Sequence, residues 1–366
     1  MHVCHFCDTS LSGEYFRNIA LGMTKRGVRV SLVELGPGSP PKWLSEIENV
    51  SYLSLEASSK LSYPFARNHL ARYLEDERVD IVHTHLFYAG LIGVLAKRRT
   101  PDTIIALMRH HTSVVRMMGS RFHIAADKWM ADKADHVMTV SKAARDYMRD
   151  VDGIKRDIEV VYLGFDFERL APNAGARARL RQEFDISDDE FVVGYVGNFA
   201  TGKGHRQLIE AFEKILNDVP NARLLITGRD ITRDIAPNAS ERTIFAGWRD
   251  DIPACLNAMD LFVQPSLSEA FSQVLIEAMG AGLPVIATDV GGAREVIESS
   301  VNGILIAPDD AEAIYREAIR LYKDAETRYE MARKGMRSVH ERFTAEQMIE
   351  HQISLYEKWM KEIQGA

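Results

Sequence analysis

The chain has 366 residues, of which 46% are hydrophobic and 27% charged; that is the balance of a soluble globular protein with room for one large or two medium domains. A net charge of -7 argues against general nucleic-acid binding, which calls for a basic surface. Three cysteines (Cys4, Cys7, Cys255) are too few for a disulfide framework and fit a reducing compartment. No secretory signal and no apolar run of ~18 residues stands out, so the chain reads as cytoplasmic without a membrane span.

Residues 1–6 read as a strand, followed by the turn-rich loop from Cys7 to Gly13 and a helix over 14–26 that Gly27 ends. Strands over 28–35 and 50–55 come next, with the Gly36 to Pro41 cluster as a loop between them. A helix at 65–76, a strand at 81–85, a helix to Arg98, a strand at 103–108, a helix at 122–134 and a strand at 136–140 continue the alternation. Ser141 caps a helix to about Arg149, and the pattern then breaks over 160–173 as an interdomain connection would. After a charged helix at 176–184, a second series starts at Phe191, with strands at 223–227, 243–245, 261–263, 285–288 and 303–306. Helices over 311–323 and 344–362 finish the chain. Repeated strand–helix alternation predicts parallel, doubly wound sheets. Two such halves predict a cleft between domains, where small-molecule sites collect.

Two loops at strand ends carry the chemistry. The first is Gly197-Asn198-Phe199-Ala200-Thr201-Gly202-Lys203-Gly204, where glycines let backbone N–H groups approach an oxyanion and Lys203 adds a charge. Its spacing is not that of a Walker loop, and an ordinary turn with a solvated lysine is the alternative. The second runs from the strand at 261–263 through Pro265-Ser266-Leu267-Ser268 to Glu269 and a helical stretch with Glu277. The strand at 285–288 then opens into Gly291-Gly292 and Glu295. Ligands of open parallel sheets bind at this edge, and helix amino ends there attract anions. On one helix Glu269 and Glu277 would stand roughly 12 Å apart, beyond the roughly 5 to 9.5 Å of a glycosidase acid/base pair. They suit two grips on an elongated polyhydroxyl ligand, although either glutamate alone could be a solvated helix residue.

These segments, Gly197-Asn198-Phe199 with Lys203-Gly204 and the run from Pro265 through Glu269, Glu277 and Pro284 to Gly291-Gly292, resemble the donor half of the family 4 glycosyltransferases. Those are retaining enzymes of the GT-B fold. Ala134-Asp135 with Val140-Ser141, Gly164-Phe165-Asp166, Asn302-Gly303 and Arg342-Phe343 are similar to weaker family segments. The resemblance implies an α/β GT-B architecture, two Rossmann-like domains with parallel sheets facing a central cleft. Residues 1–165 would bind acceptor and 166–343 donor, with the last helix, about 344–366, packing back on the first domain. It implies that Glu277 holds the donor ribose and Glu269 contacts the sugar beside the amides of Ala270, Phe271 and Ser272. Lys203 would neutralise the diphosphate, Gly291, Gly292 and Glu295 would lie close to the donor, Gly13 would lie beneath its phosphates, and His110 would be the active-site histidine. No cofactor and no metal are implied. The family's usual arginine is replaced by Asn198, with Arg206, Arg229 or Arg249 as candidates for the missing charge. Ala270 and Ser272 replace usual glycines and bear on the choice of sugar.

The reaction so implied is sugar transfer from a nucleotide sugar, UDP- rather than GDP-linked, to a saccharide, lipid-linked or small-molecule hydroxyl acceptor. The setting would be bacterial glycan, glycolipid or polysaccharide synthesis. A sugar-nucleotide epimerase and a non-enzymatic sugar-binding protein are the alternatives. The alternative for His110 is a hydrogen-bonded loop histidine. His83 and His85 share a strand face, and pack or hydrogen-bond more readily than they bind metal. Cys4 and Cys7 point to opposite strand faces and lack a second ligand pair. Basic residues from Lys97 to Lys133 (Arg98, Arg99, Arg109, Arg116, Arg121, Lys128), interleaved with Val114, Val115, Met117, Met118, Phe122 and Trp129, either form a solvated face or hold an anionic lipid or the inner face of a membrane.

Overall fold

The computed structural model describes residues 1–112 and 121–364. The chain forms two compact units, one of Met1–Phe165 with the C-terminal helix, the other of Asp166–Thr344. In the first, β1 (His2–Cys7), α1 (Glu14–Thr24), β2 (Arg29–Glu34), β3 (Val50–Ser54), α2 (Tyr63–Asp76), β4 (Ile81–His85) and α3 (Phe87–Ala96) come in order. They are followed by β5 (Ile104–Arg109), α4 (Arg121–Lys133), β6 (His136–Thr139), α5 (Lys142–Asp150) and β7 (Ile158–Val160). The seven strands pair in parallel in the order β3-β2-β1-β4-β5-β6-β7.

The second unit contains α6 (Ala174–Glu183), β8 (Val192–Val196), α7 (His205–Asp218), β9 (Arg223–Thr227), β10 (Thr243–Gly247), α8 (Ile252–Ala258) and β11 (Leu261–Gln264). It continues with α9 (Gln273–Gly280), β12 (Val285–Thr288), α10 (Ala293–Val296), β13 (Ile304–Ile306), α11 (Ala311–Lys323) and α12 (Ala325–Arg342). Its six parallel strands run β10-β9-β8-β11-β12-β13. The last helix, α13 (Ala345–Gln364), belongs to the first unit.

Both sheets are Rossmann-like, and the reason is in the strands. β1, β8, β11 and β12 are buried at every position, as strands covered by helices on both faces must be. In each sheet the order reverses beside the first strand, between β1 and β4 and between β8 and β11. A crevice opens at such a reversal, outside the carboxyl ends of the strands. The loops after β8 and β11 are therefore the ones that carry Lys203 and Glu269. β7 and α12 depart from the sequence reading, which also gave no bounds for α7 and α8. β7 has only three residues and lies at the edge of the stretch read as a connection. α12 has 18 residues but buries only Met331, Ala332, Gly335 and Val339, too sparse an apolar face to stand out.

α13 is held against α1 by close packing, since a Cβ on Gly22 would come within 2.2 Å of Ile349. Arg26 donates to Glu346 and Glu350, both at 3.0 Å, and Trp359 stacks on His136 with centroids 4.0 Å apart. Among the described residues no helix is long and apolar enough to cross a membrane. Of the basic stretch, residues 114–118 and the Arg121 side chain lie outside the described residues. Arg109 is not a surface cation: it is buried between the carboxylates of Asp127 and Asp152. Lys97 is likewise paired, with Asp135.

Candidate active site

In the second unit the loop after β8 docks onto the loop after β11. Leu267 N donates to Gly202 O at 2.7 Å. Gly204 has φ +73°, and a Cβ there would sit 1.9 Å from Pro265 O, so only glycine permits the approach. This contact brings Lys203 Nζ to 2.6 Å from Glu269 Oε1. The same oxygen accepts Ser266 Oγ at 2.9 Å and Gln264 Nε2 at 3.1 Å. The Glu269 side chain is 14% exposed and that of Lys203 33%, so the pair is partly open to solvent.

Glu269 therefore stands in the loop, whereas Glu277 stands in α9, half-buried. Between them Ser272 caps α9, its Oγ accepting from Leu275 N at 3.4 Å, which satisfies one of the orphan donors at the helix start. The hydroxyl that replaces a usual glycine thus has a structural use. Ala270 and Phe271 are buried, and Phe271 meets Phe343 edge to face at 5.6 Å. Ala270 O accepts from Gly292 N at 3.1 Å, and Glu295 N donates to Gly292 O at 3.0 Å. Gly291 has φ +52°, and a Cβ there would meet Glu269 O at 1.7 Å. The sequence-derived candidates Lys203, Glu269, Ala270, Gly291 and Gly292 are thus joined by direct contacts. Ser266 and Gln264 complete the set. From sequence Ser266 reads only as a turn residue and Gln264 follows the strand at 261–263 without a role, and their place at the carboxyl end of a strand beside the reversal is the signal that finds them.

Asn198 has a partner of its own: its Oδ1 accepts from Arg229 N at 2.9 Å, and Phe199 N donates to Arg229 O at 2.9 Å. Of the three candidate arginines, Arg206 pairs with Asp309 at 3.2 Å. Arg249 is bound to Glu183 and Asp251 at 2.6 and 2.7 Å. The Arg229 guanidinium lies 5.8 Å from the centroid of the exposed Trp248 ring, with no carboxylate within ion-pair distance among the described residues. His205, at the start of α7, is buried, and burial first, then Lys203, lowers its pKa to about 4.

In the first unit, His110 follows β5 and joins a group of buried imidazoles. His83 and His85 do share a face, with rings stacked at 4.4 Å, and parallel pairing of β1 with β4 places His5 opposite His83. His5 is invisible as a site residue until that pairing is known. An apolar cavity of about 200 Å³ opens beside His110, lined by Leu86, Phe87, Tyr88, Leu107, Met108 and Met130 with Asp8 at its edge. Leu86 holds φ +71° just before α3, a strained conformation for leucine. Asp8 acts as the cap that Leu86 cannot be, accepting from Tyr88 N at 2.8 Å and from Ala89 N. Burial raises the Asp8 pKa to about 6 even against those two amide bonds. Gly13 precedes α1 with φ -68°, and a Cβ there would meet nothing within 4 Å. The fold itself does not demand a glycine at that position.

Residues 176–338 match the sequence profile of Glycosyl transferases group 1, and residues 12–169 match that of Glycosyltransferase Family 4. The chain belongs to the group 1, family 4 glycosyltransferases. Among curated relatives of this glycosyltransferase is the N-acetyl-alpha-D-glucosaminyl L-malate synthase of Bacillus anthracis, 28% identical over 306 residues, 78% of this chain and 77% of that one. Among solved structures, the sucrose-phosphate synthase of Thermosynechococcus elongatus superposes with a TM-score of 0.85 at 22% identity, covering 99% of this chain and 100% of that one. Anabaena HepE in complex with UDP-glucose gives 0.82 at 21% identity, covering 96% and 99%. The fold of the glycosyltransferase is therefore that of the GT-B enzymes.

Proposed function

We propose that this glycosyltransferase moves a sugar from a nucleoside diphosphate donor to a hydroxyl acceptor with retention at the anomeric carbon and without a metal ion. The second unit would hold the donor and the first the acceptor. The observation that carries the reading is the Lys203–Glu269 pair at the reversal of strand order in the second sheet. An arriving diphosphate would draw Lys203 off Glu269 and leave that carboxylate to the donor sugar. Glu269 keeps Ser266 and Gln264 as partners, so it stays oriented when the lysine leaves.

Charge develops on the leaving diphosphate as its bond to the sugar breaks, and fixed cations and N–H dipoles stabilise it. Lys203, the amides at the start of α9 and Arg229 are the groups that supply this. Arg229 is preferred to Arg206 and Arg249 because its backbone is joined to Asn198, the position of the family's usual arginine, while Arg249 is held by two carboxylates. Glu277 would hold the ribose, with Gly291, Gly292 and Glu295 beside the donor and Gly13 leaving room for its phosphates. The acceptor proton would pass to a phosphate oxygen of the leaving group, a route that needs no carboxylate pair at glycosidase spacing.

A uridine donor is preferred, supported by the UDP-glucose complex of HepE, and synthesis of a bacterial glycan is the setting in keeping with a relative in Escherichia coli, the UDP-Gal:alpha-D-GlcNAc-diphosphoundecaprenol alpha-1,3-galactosyltransferase, 26% identical over 271 residues. A lipid-linked acceptor would bring the enzyme to a membrane face, whereas saccharide and small-molecule acceptors would not. The test is a thermal-shift panel of UDP, GDP and their sugars, since a ligand at 100 times its Kd stabilises by about 2.7 kcal/mol. UDP compounds should raise Tm, and Glu277→Ala should abolish the rise. A rise that survives Glu277→Ala would refute the ribose assignment, and a rise with GDP compounds alone would refute the uridine reading.

A further inference from the structure

Three histidines of the first unit form a hydrogen-bonded row that ends at the candidate active-site histidine. His5 Nδ1 meets His85 Nε2 at 3.0 Å, and His85 Nδ1 meets His110 Nε2 at 2.9 Å. His5 and His85 are fully buried. Burial lowers the pKa of His5 and of His110 to about 3 and that of His85 well below its ordinary value, so all three rings are neutral near pH 7.

A neutral imidazole has one N–H and one bare nitrogen. Two bonds in series therefore allow only two consistent polarities. In one, His5 donates from Nδ1, His85 donates from Nδ1, and His110 accepts at Nε2 and keeps its own proton on Nδ1. In the other, every ring moves its proton and His5 carries an N–H on Nε2. His5 Nε2 is buried and has no partner among the described residues. A buried N–H without an acceptor is the rarer arrangement in folded proteins, so the first polarity is favoured.

We propose that His5 and His85 are positioning residues that hold His110 as the Nδ1–H tautomer, so that His110 offers a hydrogen-bond donor, not a base, to an oxygen of the bound sugar or acceptor. This rests on His110 lying at the active site. It matches a transfer in which the acceptor proton goes to the leaving phosphate and no side chain has to take it. His83 stands beside the row. Its Nδ1 meets Tyr356 OH on α13 at 2.5 Å, and its ring stacks on His85 at an interplanar angle of 14°, which fixes the plane in which His85 reaches His110. Nitrogens of His5, His83 and His85 also lie within 4.8 Å of one another, close enough to share a metal ion. Both nitrogens of His85 are engaged in the row, so an ion that took either lone pair would break it, and the two states exclude each other.

The experiment is long-range nitrogen–proton NMR on protein labelled with 15N-histidine, together with metal analysis of the same sample. Wild type should show His110 bare at Nε2 and protonated at Nδ1, with no stoichiometric metal. His85→Asn keeps an amide N–H near the position of Nδ1, so it should preserve that tautomer and turnover. His85→Ala should give a tautomer mixture and lower kcat roughly tenfold, the value of one neutral hydrogen bond, with little change in KM. A proton on His110 Nε2 in wild type, an unmixed tautomer in His85→Ala, or one equivalent of bound zinc would overturn the proposal. Unchanged turnover in His110→Ala would instead remove the active-site role of His110, whatever the tautomer.

Discussion

Lys203 and Glu269 are the residues on which the reading turns, and their pairing makes the two substitutions unequal. Lys203→Ala removes the charge meant for the leaving group but leaves Glu269 held by Ser266 and Gln264. Its kcat should fall by roughly 10²–10³ in a steady-state assay, the loss typical of one preorganised stabilising group, while the folded structure persists. A kcat within a few-fold of wild type would remove Lys203 from the chemistry. Arg229→Ala should lower kcat/KM for the donor by at least roughly tenfold, the value of one hydrogen bond to a charged group, whereas Arg206→Ala and Arg249→Ala should not. Equal effects of all three would deny Arg229 a special place. Lys203, Glu269 and Glu277 were legible in the sequence because charged residues interrupt apolar strand–loop–helix units at a fixed edge. Ser266 and Gln264 were not, because their hydrogen bonds to Glu269 depend on how the loop after β11 folds back, and Arg229 could not be told from Arg206 and Arg249 until the loops after β8 and β9 were seen to pair.

At the level of elements, glycines decide whether the loops can meet. Gly291 lies in the left-handed region, where a Cβ would overlap Glu269 O at 1.7 Å. Gly291→Ala should cost about 3 kcal/mol from backbone strain and displacement of that loop, read as a lower Tm of the second unit together with lost turnover. Retained activity at wild-type Tm would show that the contact yields cheaply. Strands such as β8, β11 and β12 could be read directly, since burial on both faces leaves continuous apolar runs. α12 could not be read, because its surface is mostly polar and its packing comes from the rest of the unit. The imidazole group shows the same boundary. The alternation of His83 and His85 is a sequence pattern, but the arrival of His5 depends on β1 pairing with β4.

For the molecule as a whole, these histidines link stability to pH. His5 is held near 3 and His83 and His85 well below 6.5 by burial. The unfolded chain binds those protons first, so their contribution is complete above about pH 6.5 and is lost as pH falls below it. Asp8, raised from 3.8 to about 6, and Glu34, also raised by burial, act in the opposite direction, but they are outnumbered by these histidines together with His110, lowered to about 3. Each histidine makes the slope up to ~1.4 kcal/mol per pH unit. Tm followed by tryptophan emission should fall steadily from pH 7 to pH 5, and with Trp248 replaced by Phe the remaining Trp43, Trp129 and Trp359 make that signal report on the first unit. A flat Tm would mean that the imidazoles titrate alike in the folded and unfolded chains. The place of α13 has a different consequence, one concerned with time. Residues 166–344 are contiguous, so the second unit has all its parts as soon as Thr344 leaves the ribosome. The first unit is synthesised earlier but waits for Ile349, Tyr356 and Trp359. The half made first is thus completed last, and until then Gly22, His83 and His136 lack the helix that covers them. Nascent chains arrested with Thr344 just outside the exit tunnel should yield a protease-resistant second unit attached to a digestible first one. Protection of the first half at that length would contradict this order.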